Sequence, residues 1–216
     1  MTKIDSIILN RLCYCATNSK IDKRLAAVII KNGKMISKPC CNIIRTTCRR
    51  NTFGSLHAEA SALLNYYGKN INYNNKIIND NKIDLLVIRI NKHNQICNAR
   101  PCYMCLNLMR INGVRKVYYS VNFNKIVCEN VKDMISIQAS SVTICLDTID
   151  NLDTIDNYYE KLLQKFFPSQ IKRKNLENFI EHNLHLVLPN YKVSISKNIV
   201  TIINSNNIPI ITSEII

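Results

Sequence analysis

No run of apolar residues in this 216-residue chain approaches the length of about 20 needed to cross a bilayer, so no membrane-spanning segment is expected. The opening stretch MTKIDSIILNRLCYC also lacks the pattern of a secretory leader. Asp5 interrupts it, and no small-residue cleavage site follows an apolar block. Without a leader, ten cysteines argue for reduced thiols in an intracellular setting, not for a disulfide framework. Acidic residues are scarce, 15 against 29 Lys and Arg, and the net charge is +14. The imbalance is local: residues 1–150 carry 22 basic and 9 acidic side chains, and residues 151–216 carry 7 and 6. The tail is therefore not a basic nucleic-acid arm, and it has no recognised RNA-binding motif. A cationic first part suits phosphate-bearing ligands, whether nucleotides or polymers. A solvated face coloured by base composition accounts for it equally well.

What the chain does have is length for one ordinary domain plus an appendage, and 47% hydrophobic residues, enough to bury a sizeable core. Residues 4–18 place Ile4, Ile8, Leu12 and Cys15 on one face of an amphipathic helix. Leu25 to Ile30 reads as a buried strand, Asn32-Gly33 as a hairpin turn, and Met35 to Ser37 as the return. Lys38 to Thr52 is polar and is expected to be irregular. Cys40, Cys41 and Cys48 lie in it, and ordinary thiols are favoured there over a second metal site, since no Cys-x-x-Cys spacing or matching His accompanies them. Ser55 is a plausible cap for a helix from Leu56 through Tyr67, closed by Gly68. Residues 69–82 are rich in Asn and Lys and read as a surface excursion. A strand at 83–90, a helix opened by Pro101, a strand at 114–120, a helix at 129–139 and a strand at 142–146 follow. The two strand–helix–strand steps imply parallel neighbours at that edge of the sheet. The division is expected at residue 150, with a first domain at 1–150 and a helix-plus-strand extension at 151–216. Two helices, at 156–167 and 172–186, and two or three short strands make up that extension. His182 and His185 within it are not expected to bind metal.

The residues that carry chemistry are His57-Ala58-Glu59 and Pro101-Cys102-Tyr103-Met104-Cys105. Either half alone is weak, since a lone Cys-x-x-Cys also serves as a redox pair or half of a structural zinc site. Together, each at a helix start, they offer one imidazole, one carboxylate and two thiols. Cys102 and Cys105 project from one face of their turn, and the helix start favours negative charge beside His57 and Glu59. This ordered pair is the signature of zinc deaminases acting on nucleobases.

With the following segment Gly113 to Ser120, residues 1–148 resemble the cytidine/deoxycytidylate deaminase superfamily. A helix and parallel strand after the cysteine pair look like its dCMP deaminase and tRNA adenosine deaminase branch. The small tetrameric cytidine deaminases usually have Cys where this chain has His57, and they lack that crossover. The resemblance implies a three-layer α/β/α fold around a mixed five-stranded sheet, with a small α+β extension at the C-terminus. It implies His57, Cys102 and Cys105 as ligands of Zn2+, with Glu59 as proton shuttle and Asn42 as a substrate-binding residue. Arg45, Arg49 and Arg50, beside the site, would hold a phosphate. The 45 residues from His57 to Cys102 exceed the family's usual spacing, which bears on specificity and not on chemistry.

The leading expectation is hydrolytic deamination of dCMP or CMP. The alternatives are a base within RNA or single-stranded DNA, tRNA adenosine included, and a deaminase-fold protein used as a binding or structural component. A homodimer and a cytoplasmic location are the accompanying expectations. Heavy use of Asn, Ile and Lys points to an AT-rich genome, such as that of a large DNA virus, for which the virion is the other location.

Overall fold

In this computed structural model the described residues are 4–48, 51–72, 83–121, 125–138, 155–185, 188 and 190–216. They form two compact units, Met1–Lys132 and Asp133–Ile216. The boundary expected at 150 and the strand expected at 142–146 lie outside the described residues, as do residues 73–82 of the expected excursion. No helix among the described residues is long and apolar enough to cross a membrane.

The first unit is built on a mixed sheet. Helix α1 (Ser6–Thr17) starts at Asp5, whose carboxylate accepts a hydrogen bond from the Ile7 amide at 2.9 Å. Its buried residues Ile8, Leu12 and Ala16 recur every four positions. They pack on Ala26, Val28 and Ile30 of β1 (Arg24–Lys31) and on Leu86, Ile88 and Ile90 of β6 (Ile83–Ile90). The alternate residues Ala27, Ile29, Leu85 and Val87 are also buried, so both faces of these strands are covered. Asn32 and Gly33 turn β1 into β2 (Lys34–Met35) with φ of +51° and +76°, the expected tight hairpin.

Two readings of the sequence are corrected between β2 and the first key helix. Lys38 to Thr52 is not irregular throughout: most of its described residues are in strands. Cys40–Cys41 (β3) pairs with Ala26 and Ala27 of β1, and β4 (Ile43–Cys48) pairs antiparallel with β5 (Asn51–Leu56). The β-branched residues Ile43, Ile44, Thr46 and Thr47 favour that pairing, and the surrounding arginines and asparagines masked it. Ser55 therefore belongs to β5 and caps nothing. Helix α2 (Ala58–Tyr67) starts at His57 instead, with Gly68 at its end at φ +54°.

Strand β6 pairs antiparallel with β1 and with the short β7 (Ile96–Cys97). Helix α3 (Tyr103–Ile111) then carries the chain to β8 (Val114–Ser120), which lies parallel to β6. This is the expected crossover. The next expectation fails: β9 (Ile126–Asn130) is a strand antiparallel to β8, residues 131–133 turn, and 134–138 have no regular structure. The reason lies in burial with period two. Val127 and Glu129 both point inward, and a buried glutamate is invisible as such until its cationic partner is placed. The sheet order is β2-β1-β6-β8-β9, with β3 beside β1 and β7 beside β6. Among the described residues it has seven strands where five were expected; β3, β7 and β9 are the additions, and the fifth expected strand, at 142–146, lies outside the described residues.

The second unit holds α4 (Ile155–Phe166), β10 (Gln170–Ile171), α5 (Arg173–Phe179) and a π-helical turn over Ile180–Leu184. Strands β11 (Lys192–Ser196), β12 (Ile199–Ile203) and β13 (Pro209–Ile215) complete a four-stranded sheet in the order β10-β13-β12-β11. Leu163, Phe179, Leu184, Val200 and Ile202 are fully buried in it. Asn183 Oδ1 accepts from the Ile137 amide at 3.0 Å, which ties the segment at 134–138 to this unit.

Candidate metal centre

Two helix starts converge here. His57 is the residue before α2, in extended conformation (φ −68°, ψ 153°), and its side chain makes no capping bond, so the imidazole is released from the helix. Its carbonyl accepts from the Ser61 amide at 2.9 Å, which opens the helix. Cys102 holds the matching position before α3 (φ −70°, ψ 164°), and its Sγ accepts from the Cys105 amide at 3.5 Å. Pro101 stands one residue ahead of this cap rather than in the first helical turn. Its fixed φ suits the extended approach, and its missing N–H costs nothing there.

His57 Nδ1 lies 3.4 Å from Cys102 Sγ and 3.4 Å from Cys105 Sγ. All three candidate ligand atoms fall within 4.8 Å of one another. Tetrahedral zinc with its usual bond lengths would separate nitrogen from sulfur by about 3.6 Å. The donor set and its spacing therefore fit a metal ion of zinc's size and softness. Both thiols are buried and His57 is half-buried. These three are the one cluster of this kind among the described residues.

Their electrostatics explain what a cation would do. A hydrogen bond from Cys105, opposed by burial and aided by His57, holds the Cys102 thiol well below its ordinary value. The same hydrogen bond, together with burial, holds Cys105 well above its own. His57 is pushed up to about 9, chiefly by its hydrogen bond to Cys102. The centre thus collects a thiolate, an imidazolium and a thiol, two protons occupying the place of one divalent cation.

Glu59 sits in the first turn of α2 and is 2% exposed. Burial raises its pKa, and its Oε2 has no hydrogen-bond partner among the described residues. A buried carboxylate oxygen without a partner costs about 1–3 kcal/mol or more, a cost that folding alone gives no reason to bear.

Of the other residues singled out in the sequence, some have partners of their own and some are beyond description. Asn42 is buried and committed to the start of β1: its Oδ1 accepts from the Leu25 amide at 2.9 Å and its Nδ2 donates to the Lys23 carbonyl at 2.7 Å. Arg45 lies on β4, and Arg49 and Arg50 are outside the described residues. Cys40 donates its thiol hydrogen to the Lys38 carbonyl at 3.6 Å, and neither it nor Cys41 enters a metal-type cluster with other described residues. His182 Nε2 faces Glu181 at 3.4 Å.

Sequence reasoning missed a second buried group one residue ahead of the Pro-Cys turn. The Arg100 guanidinium pairs with Glu129 of β9 and donates to the Tyr119 hydroxyl of β8 at 2.6 Å, while Tyr119 donates to Glu129. The side chains of Arg100 and Glu129 are 0% and 1% exposed. No spacing rule joins residues 100, 119 and 129, so no local signal was there to be read.

No protein-family model matches the chain, and no curated protein matches it. Fold and site together define an α/β protein with a mixed sheet and a His/Cys/Cys cluster spaced to hold a metal ion.

Proposed function

We propose that this chain is a zinc-dependent deaminase whose substrate is a cytosine nucleotide, dCMP or CMP. The observation that carries the reading is Glu59, a buried carboxylate with an unpartnered oxygen in the helix turn that begins at one metal-type ligand. A structural zinc site is closed by four protein ligands, whereas this cluster has three and Glu59 is not one of them. His57, Cys102 and Cys105 would hold zinc through three protein ligands, and the ion would supply a Lewis acid that lowers the pKa of water toward neutrality. Glu59, with its raised pKa, is suited to accept a proton at Oε2, hand it to the pyrimidine ring nitrogen and assist departure of ammonia. Burial of the thiols and of Glu59 excludes bulk water from these transfers.

The helix expected at 129–139 is absent among the described residues and the strand expected at 142–146 lies outside them, so His57 in place of Cys is what points to the dCMP and tRNA deaminase branch. The choice of a phosphate-bearing substrate rests on the cationic first 150 residues. The same charge favours a second reading, a base within RNA or single-stranded DNA.

The test is ammonia release from cytidine, deoxycytidine, CMP, dCMP, RNA and single-stranded DNA by zinc-loaded protein, with Glu59→Ala as the blank. Turnover of CMP or dCMP that vanishes in the variant supports the proposal. Turnover of the polymers alone selects the second reading. A zinc-loaded protein inert on the whole panel rejects both and leaves a binding or structural role.

A further inference from the structure

We propose that Arg100 is a positioning residue for the metal centre, gripping Glu129 and Tyr119 so that the turn carrying Cys102 and Cys105 is held in register with His57. This inference rests on the metal-binding reading above.

The segment before the cysteines is tied down residue by residue. The Ser120 hydroxyl donates to the Cys97 carbonyl at 2.7 Å and accepts from the Arg89 amide at 3.1 Å. The Ala99 amide donates to the Ser120 carbonyl at 2.8 Å, and the Arg100 amide donates to Asn98 Oδ1 at 2.8 Å. These bonds fix residues 97–100 against the C-terminal end of β8. Arg100 is the last residue before Pro101 and Cys102, and it extends the attachment with its side chain. One guanidinium nitrogen serves both Tyr119 and Glu129 Oε1, and the other reaches Glu129 Oε2 at 3.4 Å. The guanidinium carbon also lies 5.4 Å from the centre of the Tyr119 ring.

The energetics point the same way. A fully buried ion pair costs desolvation that its attraction offsets only in good geometry, and apolar residues of similar volume serve stability as well or better. What an apolar trio lacks is direction. A planar fork held by a carboxylate and a phenol fixes the angle at which the backbone passes the end of β8 on its way into α3. Cys102 follows two residues later. A ligand displaced by a fraction of an ångström no longer matches zinc's bond length.

The experiment compares wild type with the double variant Arg100→Met with Glu129→Leu, which removes both charges together. Zinc affinity is measured by chelator competition, the visible spectrum is recorded on Co2+-substituted protein, and thermal unfolding is followed without metal. The double variant is expected to melt within a few degrees of wild type, to bind zinc about tenfold or more weakly, and to shift the cobalt absorption bands. Zinc affinity within threefold of wild type and a superimposable cobalt spectrum would overturn the proposal. Should the double variant not fold, Tyr119→Phe and Arg100→Lys decide. Each is expected to weaken zinc binding and perturb the cobalt bands to a lesser degree, and wild-type values in both reject the inference. A wild-type protein that binds neither zinc nor cobalt instead rejects the metal reading, an outcome seen before any variant is made.

Discussion

At the scale of single residues, the centre's chemistry follows from who holds the protons. In the metal-free centre His57, raised to about 9, is protonated at pH 7, and Cys105 retains its thiol proton. Zinc must displace both, so its affinity rises with pH. The expected slope is up to about a hundredfold per pH unit at neutrality, easing toward tenfold above the His57 titration. Chelator competition at several pH values measures this, and a flat profile contradicts it. Cys102→Ser removes the residue that provides the thiolate and is expected to abolish stoichiometric zinc at micromolar protein, read by metal analysis after dialysis. Asn42→Ala probes a different function. It strands the Lys23 carbonyl and the Leu25 amide, and is expected to lower stability by about 1–3 kcal/mol in urea unfolding while leaving zinc stoichiometry intact.

At the scale of elements, α2 and α3 are joined at both ends. Their starts converge on His57 and Cys102, and their far ends are stitched by Asn112, which is fully buried. Asn112 accepts from the Asn72 amide and donates to the Asn72 and Leu108 carbonyls, all at 2.9 Å, while the Tyr67 hydroxyl donates to the Asn112 carbonyl at 2.9 Å. Asn112→Ala is expected to cost about 2–3 kcal/mol, seen as a lower urea midpoint with unchanged slope. The elements legible in the sequence were those whose pattern is local: α1 by its fourfold spacing, β1 and β2 by the Asn-Gly turn, β6 by its apolar stretch Leu85 to Ile88. The β4–β5 hairpin was not, because arginines and asparagines interrupt and flank its β-branched residues. Nor was β9, because Glu129 reads as a surface residue until Arg100 is brought against it.

At the scale of the molecule, metal binding and folding of the first unit are one equilibrium. Zinc at a hundredfold excess over its dissociation constant is expected to stabilise the protein by about 2.7 kcal/mol, raising the unfolding temperature, and a chelator reverses the shift. A midpoint indifferent to zinc contradicts a preformed site. The sequence by itself determined the donor set, because His57, Glu59, Cys102 and Cys105 lie in two short motifs whose spacing is set by single helical turns. It also determined the strand–helix–strand crossover whose helix the second motif opens, since hydrophobic periodicity is a property of neighbours along the chain. Tertiary structure alone decided that the 45-residue gap closes to 3.4 Å, that Asn42 serves the start of β1, and that β9 runs antiparallel. The physical reason is the same in each case. Burial of a polar group depends on a partner distant in sequence, and no local pattern records that partner.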